Sequence, residues 1–244
     1  MKLVVTVKQI LDPRGITVRR DKERVFINRE EYILDPGSKA AIEAALRLKG
    51  EGDEIVALSM GKPQAEDALR EALAMGCDAA RLLSDKAFKE ADITVTVRIL
   101  AAAILKLGSV DLILCGRESG DTGAGQIGPR LAEALGYTQV TDVYTLVAGE
   151  GHLEATRRWG SGYATVKVPL PAVITVAPEA FPPRYPHGAR IMNAYREWTV
   201  PVWNASDLDL DEGALKPLLA FRGDPARVAQ DVIMALKQQL ISNI

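Results

Sequence analysis

The stretch Gly116 to Pro129 (Gly-Arg-Glu-Ser-Gly-Asp-Thr-Gly-Ala-Gly-Gln-Ile-Gly-Pro) gathers the residue types best suited to hold an anion. Within it, Gly123, Gly125 and Gly128 have the G-x-G-x-x-G spacing, between a run that reads as a buried strand and one with helical periodicity. Glycine adopts backbone conformations closed to other residues and lets N–H groups approach a phosphate, and a helix N-terminus adds partial positive charge. The glycines begin several residues after the strand, whereas a dinucleotide fingerprint places them at once. The residues alone leave two readings open, a phosphate cradle and an ordinary loop.

Other chemistries find less support. His152 and His187 are the only histidines, and neither stands near a serine, cysteine or second ligand at a spacing that would make a triad or a zinc site. Cys77 and Cys115 lack C-x-x-C spacing and read as small buried hydrophobes in a reducing, cytoplasmic setting. The carboxylates Glu30-Glu31 and Asp209 with Asp211 fall on polar segments and read as solvated charge. With 30 Lys+Arg against 32 Asp+Glu, the chain lacks the basic excess that nucleic-acid binding uses. Its most apolar window, Ile93 to Gly116, is broken by Arg98, Lys106 and Asp111, which argues against a membrane span, and the N-terminal residues show no targeting segment.

The elements that must position the glycine loop follow from periodicity. Strands are expected at Leu3–Val7, Glu54–Ser59, Ala79–Leu83 and Asp111–Cys115, the last apolar enough for burial on both faces. Between them, helices begin after Asp35-Pro36, run through Ala68 to Leu73 and from Ile93 to Leu107, and close at Gly76 and Gly108; a further helix spans Ile127 to Leu135 and stops at Gly136. This alternation predicts an α/β fold, a mostly parallel, doubly wound, Rossmann-like sheet. In such a sheet the ligand crevice lies at the carboxyl ends of the strands, so Thr6-Val7-Lys8, Asp35 to Ser38 and Ser59-Met60-Gly61 should converge on the glycine loop. The polar excursion Arg14 to Arg29 suits a hairpin, and the turn-punctuated strands from Val143 to Val176 extend the sheet. Between Ala177 and Trp203, five prolines (Pro178, Pro182, Pro183, Pro186 and Pro201) predict an extended arm, and Asp224-Pro225 opens a terminal helix. The expected division is an α/β domain over 1–180 and an arm with a C-terminal helix over 181–244.

At this point the residues resemble the β subunit of electron transfer flavoproteins. Val7-Lys8-Gln9-Ile10-Leu11-Asp12 is similar to the family's VKxxxD, and Leu34-Asp35-Pro36 with Ala41 to Lys49 to its NP…ALEEAxRLK element. Ala68 to Asp78 resembles LRxALAMGAD, Gln126 to Pro129 with Leu131-Ala132-Glu133 and Leu135-Gly136 resembles GQxGPxLAExLG, and Pro183-Arg184-Tyr185-Pro186 with Ile191-Met192 resembles PRYP…IM. These five motifs occur in order over nearly the whole chain.

The resemblance implies a carrier subunit without acid, base or nucleophile of its own. It would pair with an α subunit around a shared FAD, pass electrons from dehydrogenases to a quinone reductase or other acceptor, and hold AMP or a second FAD itself. The implied nucleotide contacts are Thr6, Asp35, Pro36, Gly37, Ser38, Met60, Asp121, Thr122, Gly123, Ala124, Gly125 and Gln126. Asp35 stands where many relatives carry Asn, and the loop is closer to the DGDTAQVGP form of FixA-like and bifurcating relatives than to the longer acidic form. The implied partner-recognition segment is Arg184, Tyr185, Pro186, His187, Gly188 and Ala189. Gly188 takes the place of the family's anchoring leucine, whose burial is worth about 1.5–3 kcal/mol. Two other classes stay open on the residues themselves, a non-redox adenine-nucleotide module and an NAD-dependent dehydrogenase.

Overall fold

Short β-branched runs separated by helical segments fold here as strands joined by crossover helices. The computed structural model describes residues 1–19 and 24–217. The terminal helix expected after Asp224-Pro225 lies outside the described residues. In chain order the elements are β1 (Lys2–Thr6), β2 (Gln9–Leu11), β3 (Ile16–Arg19), β4 (Arg24–Ile27), β5 (Tyr32–Leu34), α1 (Pro36–Leu48), β6 (Glu54–Met60), α2 (Glu66–Met75) and β7 (Ala79–Leu83). They continue as α3 (Ile93–Lys106), β8 (Leu112–Gly116), α4 (Ile127–Leu135), β9 (Thr138–Gly149), β10 (His152–Trp159), β11 (Gly162–Pro169), β12 (Ala172–Val176), α5 (Gly188–Arg196) and β13 (Val202–Trp203).

Nine strands form one sheet in the order β11-β10-β9-β12-β8-β1-β6-β7-β13. The pairs from β9–β12 through β7–β13 are parallel, and β9, β10 and β11 make an antiparallel meander at one end. Alternation along the central strands sorts the core into two layers. Leu3, Val5, Ile55, Ala57, Leu112 and Leu114 pack with Ile42 and Ala45 of α1 and Leu69 and Leu73 of α2. Val4, Val56, Leu58 and Ile113 face the other way, toward Val95, Ile99 and Ile104 of α3 and Leu131 of α4. The two layers make the sheet doubly wound, as the sequence pattern predicts.

The helix boundaries follow from local chemistry. Asp35 caps α1 by accepting from the Ser38 N–H, with Pro36 at the first helical position, and Gly136 ends α4 in the left-handed region. The expected hairpin is present as β3 paired antiparallel to β4.

One expectation needs correction. The proline-dense stretch is not extended throughout, because the 14 residues between Pro186 and Pro201 contain none and α5 forms there. Its Ala194 is buried in the α1/α2 layer, and Arg70 of α2 donates to the carbonyls of Ala194 and Trp198. Pro201 and Trp203 then accept hydrogen bonds from Leu82 and Ser84, which places β13 along the β7 edge. Proline count alone missed both elements, since tertiary packing supplies what forms them. Among the described residues, no helix is long and apolar enough to cross a membrane.

Candidate functional site

The chain leaves β1 toward α1 on one face of the sheet and leaves β8 toward α4 on the other, and β1 and β8 are neighbours. Their carboxyl ends therefore splay apart at a topological switch point, where open α/β sheets bind ligands. A cavity of about 460 Å³ opens there. Thr6, Val7 and Lys8 line it from the end of β1, Met60 from β6, Asp35 and Ser38 from α1, and Cys115 to Ser119 from β8 onward. The first turns of α3 add Asp92, Ile93, Thr96 and Leu100, and the glycine loop adds Thr122, Ala124, Gly125, Gln126 and Ile127. Met60, Ile93, Leu100 and Ile127 give the lining its large apolar members.

The loops predicted from topology to meet do so in this cavity. Of the twelve residues suggested as nucleotide contacts, Thr6, Asp35, Ser38, Met60, Thr122, Ala124, Gly125 and Gln126 line it, whereas Pro36, Gly37, Asp121 and Gly123 do not. Gly37 instead permits close packing: a Cβ there would lie 2.7 Å from the Glu118 carbonyl oxygen, and one on Gly116 would lie 2.7 Å from the Gly37 carbonyl carbon. The first turn of α1 and the end of β8 thus meet backbone to backbone.

The three spaced glycines divide their roles. Gly123 and Gly125 have φ of +59° and +61°, which lets the loop turn across the cavity mouth. Gly128 is helical, and its missing side chain admits the Thr175 methyl of β12, which a Cβ would meet at 2.3 Å. Two glycines for the turn and one for helix–strand contact match the logic of a phosphate-binding loop, at a different distance from the strand.

Buried Asp35 organises the loop. Its carboxylate accepts from the Ser38 N–H at 3.0 Å on one oxygen and from the Gly120 N–H at 2.8 Å on the other. One side chain thereby caps α1 and pins the glycine loop, using both oxygens as acceptors. An amide would offer only one, so Asp35 is suited to clasping two donors where an Asn would place one donor of its own.

Helix termini aimed at the cavity differ in one respect. Asp35 caps α1 and Asp92 caps α3 through the Val95 N–H, while Gln126 at the start of α4 makes no such bond. The Gln126 carboxamide accepts from Arg130 Nε at 2.9 Å instead. Pro129 has no N–H, so Ile127 and Gly128 supply the donors of that first turn, which suits an anion.

The other polar groups among the described residues make structural contacts. Burial pushes the Cys115 thiol up to about 11 despite a hydrogen bond with Thr6, and the Cys77 thiol up to about 12, so both stay protonated. Arg117 is held by Asp142 at 3.0 Å and Glu179 at 3.2 Å, contacts that raise its pKa. His152 bonds the Glu150 carbonyl at a turn of the meander and His187 caps α5; neither lines the cavity. No group of His, Cys, Asp or Glu suited to a metal occurs among the described residues.

In the arm, Arg184 reaches Glu43 of α1 with Nε 2.8 Å from Oε2. Burial alone would raise the Glu43 carboxyl, but hydrogen bonds from Arg184 and Arg47 outweigh it and hold it below the usual range. Arg184 therefore fastens the arm, while neighbouring Tyr185 is 98% exposed. A second cavity of about 570 Å³ lies between this segment, α2 and β5. The contribution of α3 to the first cavity escaped the sequence reading, although Asp92 before a helical run after the third predicted strand is its visible signal.

Comparison with known proteins places this geometry in a family. The sequence profile described as electron transfer flavoprotein domain matches residues 24–208. An electron transfer flavoprotein subunit beta from Clostridium acetobutylicum is 37% identical over 240 residues, which span 98% of this chain and 90% of the relative. Subunit CarD of the caffeyl-CoA reductase-Etf complex of Acetobacterium woodii is 37% identical over 241 residues, 96% of this chain and 92% of the relative. An acryloyl-CoA reductase electron transfer subunit gamma from Anaerotignum propionicum is 38% identical over 242 residues, 93% and 86% respectively. The fold and crevice define an open-sheet α/β protein with its pocket at the switch point. The chain belongs to the electron transfer flavoprotein family, among its β subunits.

Proposed function

We propose that this chain is the β subunit of a heterodimeric electron carrier and that its cavity holds an adenine nucleotide, either AMP or the adenylate part of a second FAD. The observation that carries this reading is the cavity at the β1/β8 switch point, where a glycine loop and the uncapped start of α4 face an apolar wall. That combination suits a phosphate beside a flat ring. Gly125 lets the loop pass close to the chain leaving β8, because a Cβ there would lie 3.3 Å from the Arg117 carbonyl oxygen. The α4 donors Ile127 and Gly128 would take the phosphate, Met60, Ile93 and Leu100 would pack on the ring, and Asp35 would keep the loop in place.

The flavin shared with an α subunit would supply the redox chemistry, and this chain would supply position and exclude water. We assign no acid, base or nucleophile to it. The names of two relatives contain caffeyl-CoA reductase and acryloyl-CoA reductase, which favours an oxidoreductase of CoA thioesters among its electron partners. Arg184 to Ala189 would face such a partner, and the outer side of the described arm, residues 190–217, would meet the α subunit.

The test is to purify the native heterodimer, denature it and quantify the released nucleotides against protein. One FAD and one AMP per heterodimer would make the cavity an AMP site in a simple shuttle. Two FAD would place a flavin in this subunit and make bifurcation the next question. A chain that purifies with adenine nucleotide but without a flavin-bearing partner would favour a non-redox nucleotide module.

A further inference from the structure

The cavity rim carries an ion link that the adenylate reading leaves unexplained. Lys8 lines the cavity, and its Nζ lies 2.6 Å from Asp121 Oδ2 and 2.8 Å from Oδ1, joining the end of β1 to the glycine loop. The two side chains are 43% and 35% exposed, so the link is screened by solvent and cheaply broken.

Three of the other charged groups in the lining are engaged by firmer contacts. Arg117 is fixed by Asp142 and Glu179, Asp35 by two backbone donors, and Asp92 by the start of α3. Glu118 stands 3.8 Å from Arg117. The Lys8 backbone is anchored as well: its N–H donates to Ser38 Oγ at 3.1 Å, and its carbonyl accepts from the Asp35 N–H at 2.9 Å. Lys8 therefore presents a part-exposed ammonium with one exchangeable partner on a fixed stem, a geometry suited to a phosphate treated as a point charge.

Resting on the nucleotide reading, we propose that Lys8 is a phosphate ligand of the cavity and that Asp121 is its built-in competitor, the ammonium leaving the carboxylate when a nucleotide phosphate arrives. Burial opposes ionisation of Asp121, but its bonds with Lys8 and Ser119 outweigh that and keep the carboxylate charged near neutral pH. The exchange keeps Lys8 paired, releases the 35% exposed Asp121 carboxylate to solvent and needs no rearrangement of the β1 backbone. Because AMP and FAD share the adenylate phosphate, the proposal holds for either.

The experiment is calorimetric titration of the full-length chain, freed of bound nucleotide, with AMP and separately with adenosine. Lys8→Met should weaken AMP about tenfold, a loss of about 1.4 kcal/mol, and leave adenosine within about twofold. Asp121→Asn should tighten AMP about threefold or more and leave adenosine unchanged. AMP affinity unmoved by Lys8→Met, or equal losses for AMP and adenosine, would overturn the assignment of Lys8. Weaker AMP binding in Asp121→Asn would make Asp121 a ligand and end its role as competitor. If the wild-type chain binds neither compound, the nucleotide reading itself fails; if it binds both and the variants behave like wild type, only the Lys8–Asp121 exchange fails.

Discussion

Two buried carboxylates on one helix hold distant parts of this chain by different means. Asp35 at the start of α1 accepts from the N–H of Gly120, 85 positions away, while Glu43 two turns later holds the guanidinium of Arg184, 141 positions away. The first clasp fixes the crevice loop through neutral backbone donors, and the second fixes the arm through a charged side chain. The difference teaches that one helix can secure a binding loop and a surface arm with unlike dependence on charge. The Arg184 clasp depends on the ionisation of Glu43 and on a side chain that is half exposed, whereas the Asp35 clasp is buried together with a helix cap.

Breaking the first clasp should have the largest effect. Asp35→Ala removes a helix cap and the anchor of Gly120, so a stability loss of about 2–4 kcal/mol is expected, seen as a fall in Tm of roughly 5–12 °C. Asp35→Asn should recover part of that loss, because one acceptor oxygen remains. Equal Tm values for wild type and Asp35→Ala would remove the first clasp from the comparison.

Gly37→Ala should follow, at about 1–3 kcal/mol, since its methyl would press on the Glu118 carbonyl rather than on a yielding side chain. A denaturant midpoint unchanged from wild type would show that the α1–β8 approach is looser than described.

The second clasp should read out in acid. Because the folded Glu43 carboxyl lies below its usual 4.5, its contribution is complete above that pH and is lost as pH falls through the depressed value. Glu43→Gln should therefore lower stability by about 1–2 kcal/mol at pH 7 and show a smaller difference from wild type toward pH 3. A gap that stays constant from pH 7 to pH 3 would mean that the ion pair contributes little to holding the arm.

The smallest effect on stability belongs to Tyr185→Ala, within about 0.5 kcal/mol, since the side chain is almost wholly exposed. If the arm meets an electron partner, the same variant should slow flavin reduction by that partner. An unaltered rate would leave Tyr185 outside the docking surface.

Much of the crevice was legible because its determinants are local. Asp35-Pro36 announced a capped helix, Gly136 a stop, and the buried run Leu112–Cys115 a central strand; together they fixed where the loops must meet. The individual roles inside the loops were less legible. Gly37 resembled a ligand residue, yet its lack of a side chain serves packing against Gly116, a partner that only the folded sheet supplies. Asp35 was readable as a cap, but its second acceptor contact reaches a residue the sequence does not place beside it. The arm was the least legible part. Helix α5 and strand β13 form against α2 and β7 in a stretch whose proline count argues for extended chain, and Arg184 finds Glu43 only after that docking.

The placement of β13 also bears on how this protein behaves in crowded solution. Along β7 the sheet ends in a strand of two residues preceded by Pro201, which has no N–H to offer a further strand. At the opposite end β11 carries Lys167 and stops at Pro169. A nine-stranded sheet left with bare margins would invite strand-by-strand stacking into fibres. Each described margin here carries a feature that discourages such growth, the short strand with its proline at one end and a lysine with a terminal proline at the other.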